Sequence, residues 1–232
     1  MASSALQTPT WMPSRAAAIL LAAALLAMLA ACGDDSASSP AAEALDRQLC
    51  TSADVGPDFR QEAAGSFTPG NLADLSSQPS ARRTALASAG LTDGRFAYWK
   101  HFVGDPPFPP PLEIVCQAMQ FGSPSEANAY VASLQSTPED LATTAISWIP
   151  DDNRTVTPTA LPPGSGGRGF QISAGGSSDH VDLFAVVIAS GPYVRTVYAG
   201  KQGGTALLSD ATMVQDRMSA RLDGTGATSA SP

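Results

Sequence analysis

The sequence predicts an α+β fold: a mainly antiparallel sheet with helices packed on one face, forming a single domain over residues 43–224. Three observations point there. The elements run helix, two strands, helix, several strands, helix, which groups strands together and does not alternate them with helices. Residues 180–189 (HVDLFAVVIA) are almost continuously apolar after Asp182, as a strand covered on both faces would be. Gly191-Pro192 then turns the chain, and residues 193–199 (YVRTVYA) return antiparallel, so this hairpin is the expected centre of the sheet. Third, Ser123-Pro124-Ser125-Glu126 is a sharp helix start: Ser123 caps, Pro124 takes the first helical position, and Glu126 completes a capping box.

The elements follow in chain order. Residues 41–49 form a short helix that delivers Cys50. Residues 55–59 (VGPDF) form a turn with an apolar anchor at each end. Residues 60–80, rich in Gly, Ser, Pro and Gln, are expected as a long surface loop. Ser80 caps a helix over residues 81–88 that stops at Gly90. Residues 95–103 alternate as a strand, with Phe96, Tyr98 and Phe102 on one side and Ala97, Trp99 and His101 on the other. Residues 105–111 (DPPFPPP) cannot join a ladder and make a stiff extended loop. A second strand over residues 112–121 carries Cys116 in its middle. The capped helix runs to about Gln135 with Ala127, Tyr130, Val131 and Leu134 inward, and Thr137-Pro138 starts one more short turn. Residues 146–149 read as a brief strand, 150–167 as a Pro/Gly-rich connection with an extended piece near Val156, and 168–173 as another strand. Ser209 starts the last helix, with Ala211, Val214, Met218 and Leu222 at helical spacing and Gly224 at its end. Residues 225–232 are expected as a disordered tail.

The N-terminus has the pattern of an export signal. Arg15 is its one charge, and residues 16–31 are a short apolar core of Ala, Leu, Ile and Met ending in small residues. A bilayer span would need about 20 apolar residues, so an uncleaved anchor is the less favoured alternative. Met12-Pro13-Ser14-Arg15 makes a compact positive flank, which leaves Met1 and Met12 both open as starts. Leu29-Ala30-Ala31-Cys32 resembles the lipobox of bacterial lipoproteins. The resemblance implies that residues 1–31 are a signal peptide, that Cys32 is lipidated and becomes the mature N-terminus, and that residues 32–42 tether the domain to the outer, extracytoplasmic face of a cell membrane. With Cys32 so used, Cys50 and Cys116 remain, an even pair suited to a disulfide in an oxidising compartment; two buried free thiols are the alternative. In the mature region, the start at residues 121–127 and the late apolar hairpin with its C-terminal helix are similar to small actinobacterial extracytoplasmic lipoproteins and to sensor domains of receptor-type serine/threonine kinases.

Charge and motifs narrow the function. The chain carries 13 basic and 21 acidic side chains, a formal charge of −8, which argues against a nucleic-acid partner. The cysteine spacings match no zinc motif, and no metal or cofactor is expected. Residues 164–169 (GSGGRG) match GxGxxG, but they follow Pro162-Pro163 and lead into a strand, so they read as a loop and not as a dinucleotide fingerprint. There is no GxSxG elbow. Asp179-His180-Val181-Asp182 places a base beside acids, but neighbours in a strand point to opposite faces, so no catalytic residue is assigned. Asp151-Asp152-Asn153 reads as an exposed turn, since it lacks the spacing of a calcium loop. The suggestive cluster is Tyr98-Trp99-Lys100-His101 beside the proline loop. There Trp99, His101 and Phe108 are candidate ligand contacts, with Trp99 as an ordinary core aromatic the alternative. The expectation is a membrane-anchored, non-catalytic binding or sensing domain for an unidentified small molecule or envelope protein. A structural or assembly lipoprotein and, more remotely, a hydrolase are the alternatives.

Overall fold

Two strands with almost no exposed side chain, Leu112–Phe121 and Tyr193–Lys201, lie side by side at the middle of the molecule. The computed structural model describes residues 39–76, 78–101, 112–141, 154–174, 181–201 and 206–224. Within these the chain runs α1 (Pro40–Asp46), α2 (Ser52–Val55), β1 (Phe59–Phe67), α3 (Pro69–Asp74), α4 (Pro79–Ser88), β2 (Leu91–His101), β3 (Leu112–Phe121) and α5 (Pro124–Ser133). A 3-10 turn (Pro138–Asp140) is followed by β4 (Arg154–Thr159), β5 (Arg168–Ala174), β6 (Val181–Ser190), β7 (Tyr193–Lys201) and α6 (Leu208–Leu222). The described strands form one sheet in the order β1-β2-β3-β7-β6-β5-β4. Every neighbouring pair is antiparallel. The sheet is two meanders, β1 to β3 and β4 to β7, joined where β3 meets β7. The α+β class, the antiparallel sheet and the central late hairpin are as the sequence predicts.

Side-chain alternation divides the core into two layers. On one face Val115, Met119 and Phe121 of β3 pack with Leu183 and Ala185 of β6, Val194 and Tyr198 of β7, and Ala127, Tyr130 and Val131 of α5. Leu72 of α3 and Leu86 of α4 join this layer. On the other face Ile114 and Cys116 meet Val186, Val197, Ala199 and Val55 of α2, with Ala211, Val214 and Met218 of α6. Helices therefore cover both faces, and the expected one-sided layer is corrected. A sheet wet on one side would need polar residues at alternate positions of β6 and β7, and those strands have too few.

Two other expectations are revised. Residues 60–80 are not a loop, because they contain β1 and α3. β1 is an edge strand exposed along most of its length, so no hydrophobic alternation marks it. It is held by cross-strand pairs in which a ring lies over a glycine: Gly65 opposite Phe96, and Phe67 opposite Gly94. Helix α4 begins at Pro79, which places Ser80 inside its first turn, not at its cap. At α5 the expected cap is present but the full capping box is not: Ser123 Oγ accepts from the Glu126 amide at 3.3 Å, while Glu126 Oε2 accepts from that same hydroxyl at 3.0 Å and is not on the Ser123 amide. β4 carries Pro158, tolerated because this strand is also at an edge. Cys50, after α1, and Cys116, at the middle of β3, form a disulfide with Cα atoms 5.8 Å apart. Among the described residues no helix is long and apolar enough to cross a membrane. The lipobox, the proline loop, the 146–149 strand and the C-terminal tail lie outside the described residues.

Candidate functional site

The sequence cluster at the end of β2 is divided between the two faces. Trp99 points into the layer under α6 and is 6% exposed. Its indole therefore serves the core, and its Nε1 has no hydrogen-bond partner among the described residues. This corrects its assignment as a ligand contact. His101, half-buried on the same face, packs against Phe59 of β1 with ring centroids 5.0 Å apart. Tyr98 and Lys100 point the other way. Lys100 sits directly across from Glu113, with Nζ 3.3 Å from its carboxylate, and Tyr98 hydrogen-bonds the same carboxylate. Burial first, and then Glu113, push the Tyr98 phenol well above its ordinary pKa. This trio is a closed polar knot in which each group already has its partner. Phe108, His180 and Asp151-Asp152-Asn153 lie outside the described residues. Asp182, beside His180 in sequence, accepts from Ser173 Oγ at 2.6 Å and Gln171 Nε2 at 3.3 Å, a contact that ties β5 to β6. The glycine loop enters β5 and opens no helix, as its sequence context implies. Among the described residues no three of His, Cys, Asp and Glu converge as a metal set.

The second polar region was not anticipated. It lies on the α6 side, where α1, α6 and the start of β7 meet. Arg95, Ala118 and Arg195 occupy one cross-strand row over β2, β3 and β7, so both arginines project to this face with only an alanine between them. Arg95 Nε is 3.6 Å from the Asp46 carboxylate of α1. Asp54, buried after its Thr51 cap, takes Arg221 Nε at 3.0 Å and 3.3 Å on its two oxygens. Arg221 also donates to the Arg47 carbonyl at 3.2 Å and the Leu49 carbonyl at 2.7 Å, which clamps the end of α1 onto α6. Arg217 Nη1 donates to the Asp54 carbonyl at 3.1 Å.

Arg195 is different. It is 4% exposed, and among the described residues its hydrogen bond is Nη2 to Ser219 Oγ at 3.3 Å. Its Nε and Nη1 are buried without a partner among the described residues. Burial lowers its affinity for the proton most; Arg221 acts the same way, while Asp223 and Asp54 oppose the shift. At the same junction an open cleft of about 480 Å³ is lined by Ala44, Arg47, Gln48, Tyr193, Arg221 and Leu222, and Arg195 is not part of its lining. Tyr193 stands two residues before Arg195 on the same face of β7. The sequence did hold a signal here: Arg195 is the one charge in the otherwise uncharged run YVRTVYA of the central strand.

No protein-family model and no curated protein sequence matches the chain. The fold is similar to the extracellular domain of PknH from Mycobacterium tuberculosis, with a TM-score of 0.51 at 12% identity, over 78% of this chain and 96% of that one. The Rv0999 ortholog from Mycobacterium smegmatis aligns over 74% of this chain and 96% of that one, at 14% identity and a TM-score of 0.37. At such identities the first likeness concerns the fold alone, and the second is too distant to carry an argument. That fold likeness agrees with the resemblance to actinobacterial extracytoplasmic domains drawn from the sequence.

Proposed function

We propose that this chain is an extracytoplasmic binding domain, lipid-anchored through Cys32, that holds a ligand or partner at the membrane surface without covalent chemistry. The observation that carries the binding half is Arg195: a buried charge whose Nε and Nη1 have no partner among the described residues. Folding pays to bury such a group, and a bound molecule is a reason to keep it. The location is supported by the Cys50–Cys116 disulfide, which belongs to an oxidising compartment, and by the small-residue motif ending in Cys32. The likeness to an extracellular domain points the same way.

Two measurements test the halves separately. Labelled fatty acid should enter the wild-type protein and not Cys32→Ala; equal labelling overturns the anchor. Native mass spectrometry of protein extracted from its own membrane should show a bound non-protein mass. A ligand-free mass in every extract overturns the binding half.

A further inference from the structure

We infer that the stretch between the tether and β1 is a mechanical stop: a pull on the N-terminus peels α1 and is then taken by the Cys50–Cys116 disulfide at a central strand, so that the edge strand β1 is bypassed. The inference goes beyond the binding reading above and borrows only its anchor, since an anchored tether is what would be pulled. It begins with two helices too short to stand alone. α1 has seven residues and α2 four, and isolated helices of that length are not stable in water. Distant parts of the chain hold them, and the holds differ on either side of Cys50. Before it, α1 is held by contacts that break singly. Leu45 is buried, Asp46 (itself exposed) sits 3.6 Å from Arg95, and Arg221 reaches the Arg47 and Leu49 carbonyls at 3.2 Å and 2.7 Å. An exposed ion pair of this kind adds little.

At Cys50 the peeling meets a covalent bond. Cys116 stands in the middle of β3, which is laddered to β2 on one side and to β7 on the other. Tension arriving at Cys50 therefore crosses to a strand gripped along both edges. The two cysteines are 66 residues apart, and while their bond holds, the loop between them lies off the covalent path of the pull. That loop contains α2, β1, α3, α4 and β2. β1 is the member that most needs the bypass, because it pairs with β2 alone among the described strands and is exposed over most of its length. Without the bond, a pull would reach β1 as soon as α1 and α2 came away, and would strip it from the sheet edge. Behind the stop the chain is fastened again at Asp54, whose carboxylate takes Arg221 Nε at 3.0 Å and whose carbonyl takes Arg217 Nη1 at 3.1 Å. α1 is thus spare length for the tether, about 35 Å once the stretch from Pro40 to Leu49 is drawn out.

Optical tweezers on the full chain carrying Cys32→Ala test this, with handles at Asp34 in the tether and at Ser190, which is exposed at the β6–β7 turn. The bridged protein should first release about 35 Å of contour and then stop, before the domain unfolds. Adding Cys50→Ala/Cys116→Ala should abolish that stop, and the first release should run to about 100 Å as residues 40–67 are drawn out. A first release of equal length in both proteins overturns the inference, as does a bridged protein that unfolds in one event with no short step. If the doubly substituted protein does not fold, Asp46→Asn decides in the bridged background. It should lower the force of the short step and leave the stop at the same extension, and an extension that runs past the stop overturns the inference. The anchor fails or stands separately: equal fatty-acid labelling of wild type and Cys32→Ala removes the source of the pull, whereas the two-stage trace concerns the domain alone.

Discussion

Trp99 and Tyr98 are neighbours in sequence with opposite fates. Trp99 is enclosed by the α6-side layer near the disulfide, so Trp99→Ala should cost about 3–5 kcal/mol of stability and lower the melting temperature sharply. Trp99→Phe keeps much of the apolar bulk and removes the unpartnered Nε1, so it should cost far less; the pair of variants, melted side by side, checks this. Tyr98 supplies a pH test. Its phenol keeps its proton in the folded state above the ordinary value of 10.0. Above about pH 10 the unfolded chain gives up that proton while the folded chain retains it, so stability falls as pH rises, by up to about 1.4 kcal/mol per pH unit. Tyr98→Phe should flatten that alkaline limb in denaturant titrations. The sequence showed that these aromatics alternate, since period two fixes faces. It could not show which face was dry, because that depends on α6, more than a hundred residues away.

Element by element, legibility tracks how much of an element's stability is local. The start of helix α5 was readable to the residue because its cap, its proline and its inward face all lie within one short segment. β1 was unreadable for the opposite reason: it contributes little burial, and its fit is supplied by β2. Phe67 fills the space above Gly94, and Phe96 the space above Gly65. A methyl group at Gly94 would meet the Phe67 ring, so Gly94→Ala should destabilise by about 1–3 kcal/mol as an overpacked site. Because β1 is at the edge, hydrogen exchange should report the damage first in β1 amides, ahead of β3. Exchange that rises equally in both strands would count against this reading. The arginine cluster was equally illegible, since Arg95, Arg195, Asp46 and Arg221 come from four separate elements and share no motif.

For the whole molecule, the disulfide is the long-range tie that the sequence did indicate, through cysteine parity alone. It spans 66 residues and so removes unfolded-state freedom worth roughly 4 kcal/mol. Chemical denaturation of Cys50→Ala/Cys116→Ala should show a loss of that order, while reductant should affect wild type and not the double variant. The expectation of helices on one face failed, although one stretch of the sequence pointed the other way. The run of residues 183–189 is apolar at successive positions, and a strand with both sides apolar needs shelter on both.

The bridge and the strand order together impose a sequence in time. Both cysteines precede the turn into α5, so the cross-link needs nothing synthesised after residue 116. The first meander can therefore be locked while the second is still emerging, since chains are made from the N-terminus onward. Once locked, it leaves the far edge of β3 open, and that edge is where β7, the last strand of the sheet, must dock. The early half is then a template and the late half its client. In such an order the bridge forms before β7 docks, so its removal should slow folding more than it hastens unfolding, which the two arms of a denaturant chevron for wild type and the double variant would separate.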